Sequence, residues 1–113
     1  MRILIADSNP EKLDLYRRIL EKDEHEILTA KSDIEVSIAY KRNKIDVAVF
    51  DLGVSDYIKK LIQAYGTPVV AISDSKEKET RTFLNEDFAI RKFDENNLRY
   101  AVKKLTSLEL AVA

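Results

Sequence analysis

Residues 46–56 read Asp-Val-Ala-Val-Phe-Asp-Leu-Gly-Val-Ser-Asp. Residues 47–50 form an apolar, β-prone run with no polar alternation. Such a run is a strand covered on both faces, which is the condition of a strand inside a parallel sheet. The run stops on a carboxylate, Asp51. A helical pattern then starts near Ser55 and continues to Tyr65, where Gly66 supplies the left-handed residue that closes a helix.

The same strand-then-helix unit recurs along the chain. Residues 2–6 are a buried strand ending on Asp7 and Ser8. Residues 10–22 place Leu13, Tyr16, Ile19 and Leu20 at helical spacing. Ser8 and Glu11 have the spacing of a capping box for that helix, and Asn9 ahead of Pro10 is the competing cap. Residues 26–30 are a weaker strand. Ser32 or Asp33 caps a helix over 34–42, with Ile34, Ile38 and Val36 as its inward candidates. Residues 68–72 are a fourth strand, 76–85 a helix capped by Asp74 or Ser75, and 88–91 a fifth strand. Asp94 opens a last helix with Leu98, Ala101, Val102, Leu105 and Leu108 as its apolar stripe.

Five such units with short connections predict one α/β domain over residues 1–113, a five-stranded parallel sheet with helices on both faces and right-handed crossovers. Function in such sheets gathers at the carboxyl ends of the strands. The residues there are Asp7, Ser8, Asp51, Ser73, Asp74, Arg91 and Lys92.

Composition excludes several classes. The chain has 113 residues and no cysteine, so neither disulfides nor thiolate chemistry is available. Nineteen basic and 20 acidic residues leave a net charge of −1, not the basic excess of a nucleic-acid surface. Apolar runs of about six residues are far short of the roughly 20 that a membrane span needs. A cytoplasmic protein is expected. Two glycines cannot build a Gly-rich phosphate loop, which disfavours a flavodoxin-like nucleotide or flavin enzyme. His25 is the one histidine and reads as a surface residue, while Tyr57 and Tyr65 read as helix packing.

The strand ends resemble those of the response-regulator receiver domain of two-component signalling, of the chemotaxis-regulator type. The segments that carry the likeness are ILIADSNP, DVAVFDLGVSD, TPVVAIS and FAIRKFDENNL. The resemblance implies a flavodoxin-like (βα)5 fold with strand order 2-1-3-4-5. It implies that Asp51 accepts a phosphoryl group from a histidine kinase or phosphotransfer protein, forming an aspartyl phosphate. Mg²⁺ would be held by Asp7, Asp51 and the backbone carbonyl of Gly53, with Ser8 a weak ligand. Ser73 and a cation of the fifth strand, Arg91 or Lys92, would contact the phosphoryl oxygens. The output would be a contact with a downstream protein, with Phe88 at the place of the family's switch aromatic. The apolar end, residues 108–112, would pack on the domain, form a homodimer face or mark where a longer protein was cut.

Three departures weigh on that picture. Ser8 stands where the family has a second acid. One charge at about 4 Å from a unit partner is worth roughly 4 kcal/mol at an effective dielectric of about 20, so Mg²⁺ affinity should fall. The family's Lys-Pro pair is replaced by Arg91-Lys92-Phe93, and a guanidinium is no exact substitute for an ammonium. Fifteen residues, 52–66, lie between Asp51 and Thr67, which predicts a clipped third helix. The alternative to a phosphorylated, non-enzymatic signalling domain is therefore a pseudo-receiver that binds proteins without phosphorylation.

Overall fold

The computed structural model describes residues 1–51, 54–72, 88–90 and 93–112, with side chains at all of these except 88, 89 and 107–112. The strands are β1 (Arg2–Ala6), β2 (Glu26–Ala30), β3 (Val47–Asp51), β4 (Val69–Ile72) and β5 (Phe88–Ile90). The helices are α1 (Pro10–Glu21), α2 (Asp33–Arg42), α3 (Asp56–Ala64) and α4 (Glu95–Val112). The helix expected over 76–85 lies outside the described residues. The sheet is wholly parallel, in the order β2-β1-β3-β4-β5.

Alternation along the strands divides the core into two layers. Ile3, Ile5, Val47, Val49, Val70 and Ile72 face α1 and α4. Leu4, Ala6, Ala48, Phe50 and Val69 face α2 and α3. The result is the three-layer, doubly wound, flavodoxin-like sandwich. Gly66 at φ 89° ends α3 and donates its N–H to the Gln63 carbonyl at 2.9 Å, as the sequence predicts. No helix among the described residues is long and apolar enough to cross a membrane.

Helix α2 corrects one expectation. Ile34 and Ile38 are 72% and 46% exposed, and Val36 is fully buried. Two apolar stripes compete on this helix, and the sheet takes the one formed by Val36, Ala39 and Tyr40. The Tyr40 hydroxyl and the Thr67 hydroxyl share a hydrogen bond of 2.7 Å, which anchors that choice. Tyr57 is also corrected, for it is 72% exposed. Tyr65 is as exposed, yet its ring packs on that of Tyr40 with centroids 6.2 Å apart.

Helices α1 and α4 lie side by side on the other face. Tyr16 meets Phe93 with ring centroids 5.1 Å apart. Arg99 donates to both oxygens of Asp23, at 3.0 and 2.6 Å. That fork holds the Asp23 carboxyl below its ordinary value. His25 is half-buried, with Nδ1 unpartnered among the described residues, so it is not the open surface residue expected. Burial, and then the charge of the N-terminal ammonium, push its imidazole down.

Two measurements check these assignments. Leu98→Ala should cost about 2–5 kcal/mol in urea melts, whereas Ile34→Ala should stay within about 0.5 kcal/mol. Both shifted groups bind their proton less readily folded than unfolded, so each adds stability that acid removes. The His25 part should fade below the ordinary imidazole value of about 6.5 and vanish in His25→Gln. The Asp23 part should persist until pH falls below the ordinary carboxylate value of about 3.9 and vanish in Asp23→Asn. Urea midpoints between pH 2 and 8 would separate the two.

Candidate functional site

The strand order reverses between β1 and β3. One connection leaves β1 for β2 on one side, and β3 continues to β4 on the other. The crevice at their carboxyl ends is where doubly wound sheets bind ligands. Ala6 pairs in register with Phe50, so the next residues, Asp7 and Asp51, stand on either side of that crevice.

Asp7 is held from several directions. Its N–H donates to the Ala30 carbonyl at 3.1 Å. Its Oδ1 accepts from the Asn9 N–H at 2.8 Å. Its Oδ2 is buried and has no hydrogen-bond partner among the described residues. The side chain is nearly closed off, with the residue 3% exposed. Burial is the main cause that raises the Asp7 carboxyl above its ordinary value. The Asn9 N–H opposes the rise. The Asp51 carboxyl, in close approach, adds to it, and Lys12 opposes it again.

Asp51 ends β3 half-buried, opposite Ile72 of β4. Its carbonyl accepts from the Val54 N–H at 3.2 Å, starting the turn toward α3. Ser55 caps α3, accepting from the Ile58 N–H at 3.3 Å. The Ser55 N–H itself donates to Asp33 Oδ1 at 3.3 Å, tying the start of α2 to the loop beyond Asp51.

The cap of α1 is Asn9, not Ser8. Asn9 Oδ1 accepts from the N–H groups of Glu11 at 2.8 Å and Lys12 at 3.4 Å. Ser8 is exposed, and the capping box expected with Glu11 is not formed. Asn9 thus uses its backbone on Asp7 and its side chain on α1. Lys12 escaped the sequence reading. Its only signal there was its place in the first turn of the helix after Asp7.

Asp7 and Asp51 are the predicted site residues that the structure brings together. Gly53, Ser73, Arg91 and Lys92 lie outside the described residues. Among the described residues no three His, Cys, Asp or Glu side chains gather into a metal cage. Two carboxyls in close approach, one with a buried oxygen that no described residue pairs, still suit a hard divalent cation. Mg²⁺ commonly takes one or two carboxylates and fills its remaining positions with water and phosphate oxygens.

No family model matches the chain. Over 102 residues it is 26% identical to the response regulator GtcR of Aneurinibacillus migulanus, a match covering 81% of this chain and 42% of that protein. The chain therefore spans less than half the length of that curated relative. A response-regulator receiver domain protein from Clostridium thermocellum superposes with a TM-score of 0.82 at 19% identity, covering 99% and 98% of the two chains. A two-component response regulator from Clostridium difficile gives 0.81 at 22% identity, covering 95% and 96%. The response regulator TrrA of Thermotoga maritima, in complex with Mg²⁺-BeF, gives 0.79 at 20% identity, covering 92% and 97%. The fold is that of the receiver domains of two-component response regulators.

If Asn9 links Asp7 to α1, Asn9→Ala should lower stability by about 1 kcal/mol. Ser8→Ala should stay within about 0.5 kcal/mol. Urea denaturation of the two variants beside the parent decides between the two caps.

Proposed function

We propose that this chain works as a receiver in phosphorelay signalling and takes a phosphoryl group on Asp51. The observation that carries this is the Asp7–Asp51 pair at the topological switch point, with one buried oxygen that no described residue pairs. A carboxylate oxygen of Asp51 forms a bond to phosphorus, and the bond from phosphorus to the donor breaks, leaving an aspartyl phosphate and the released donor group. A kinase or phosphotransfer histidine would lose a P–N bond, and acetyl phosphate a P–O bond.

Asp7 and Asp51 would hold Mg²⁺ with water and the Gly53 carbonyl, and Ser8 would add little as an exposed neutral oxygen. The ion, when bound, screens the charge between the carboxylates and the incoming phosphoryl oxygens. Lys12 adds a positive field on the Asp7 side. Ser73 and either Arg91 or Lys92 would contact the phosphoryl group from the fourth and fifth strands. The domain would signal by a changed protein contact rather than by turnover of a substrate. That Mg²⁺-BeF occupies the similarly folded TrrA supports the choice of ion.

The second reading, a pseudo-receiver, is favoured by Ser8. With Ser8 exposed and Asn9 as the cap, the described site has two carboxyls where the family pattern has three. The two readings separate on one experiment. Incubation with acetyl phosphate and Mg²⁺, followed by intact mass, should show one added phosphoryl group that Asp51→Asn abolishes. An unmodified mass at saturating donor and metal, with the fold intact by circular dichroism, would transfer the assignment to the pseudo-receiver.

A further inference from the structure

The outer side of α2 and α3 is unusually apolar. Ile34 and Ile38 stand one helical turn apart on α2, and Tyr57, Leu61 and Tyr65 stand one turn apart along α3 and its cap, all of them exposed. Between the two helices lies a groove of about 260 Å³ lined by Val36, Tyr40, Ile58, Leu61, Ile62 and Tyr65. Exposed apolar side chains gathered in one place mark an interaction surface, whereas scattered ones do not.

The charges around this surface are ordered. Both helices follow parallel strands through crossovers of the same hand, so they run in the same direction. Asp33, Glu35 and Asp56 lie in their first turns. Lys41 and Arg42 lie in the last turn of α2, and Lys44 follows it, all three exposed. Between the two ends the exposed positions of α2 and α3 carry, among the described residues, one charge, Lys60. The face is therefore acidic at one end, apolar in the middle and basic at the other.

We propose that this face is an isologous interface between two copies of the chain. A two-fold axis perpendicular to α2 and α3 sets the acidic end of one copy against the basic end of the other and closes the apolar strips on each other. The same operation brings helix N-termini near helix C-termini, which the helix dipoles favour. A parallel, same-end arrangement would place like charges together. The inference does not depend on whether Asp51 is phosphorylated, and it replaces the C-terminal end as the expected dimer face.

Sedimentation velocity of the full chain, from about 1 μM to about 1 mM, should show a monomer–dimer equilibrium. Tyr57→Glu and Ile38→Glu should each weaken it by more than about tenfold, with unchanged circular dichroism because both side chains are exposed. Lys41→Glu should weaken it as well, and adding Asp56→Lys should restore part of the loss. A chain that stays monomeric throughout overturns the proposal. So does a dimer that survives Tyr57→Glu and Ile38→Glu, or one that dissociates on Leu110→Glu while those two leave it intact.

Discussion

A parallel sheet has two faces to remove from water, and the rest of this molecule follows from that need. β1, β3 and β4 are buried on both sides, with Ile3, Leu4, Val47, Phe50, Val69 and Val70 almost wholly shielded. Their covering must come from helices on each face, and parallel strands can be joined only by crossovers that supply such helices. The edge strand β2, with one neighbour, is partly open. Dry strands in the centre force polar groups to their ends, and so Asp7 and Asp51 meet at the carboxyl edge between β1 and β3.

That meeting is unfavourable on its own. Burial and the nearby Asp51 both raise the Asp7 carboxyl, and the Asn9 N–H and Lys12 offset only part of the rise. Two acids in close approach, one with a buried oxygen that no described residue pairs, oppose the stability of the fold. Unfavourable electrostatics held in place by a rigid scaffold are common where a ligand or a reaction supplies the missing charge. Asn9 belongs to the same arrangement, because it ties Asp7 to the start of α1 through adjacent backbone and side-chain bonds.

The two helical layers are unequal. α1 and α4 are joined by Tyr16 with Phe93, by Lys22 with Glu95 at 2.7 Å, and by the Asp23–Arg99 fork. α2 and α3 keep a groove between them, bridged at one end by Tyr40 with Thr67 and at the other by Asp33 with Ser55. The sheet needs only one stripe from each helix. The second stripes, Ile34 with Ile38 and Tyr57 with Leu61, were free to become surface.

Much of this was legible in the amino-acid order. The strand runs, the β-α alternation, Asp51 at the end of β3, Asp94 at the start of α4 and Gly66 after α3 are local signals, each read from a few neighbouring residues and the backbone conformations they permit. Tertiary structure decided what locality leaves degenerate. Ser8 and Asn9 are equally able to cap, and the choice fell to Asn9, whose N–H meets the Asp7 carboxyl. Ile34 with Ile38 and Val36 with Tyr40 are equally good stripes, and the sheet accepted the one whose tyrosine reaches Thr67. The raised proton affinity of Asp7 exists only because a strand 44 residues later in the chain brings Asp51 beside it and excludes water. Periodicity and capping are set by the chain's nearest neighbours, whereas burial and charge proximity are properties of the assembled sheet.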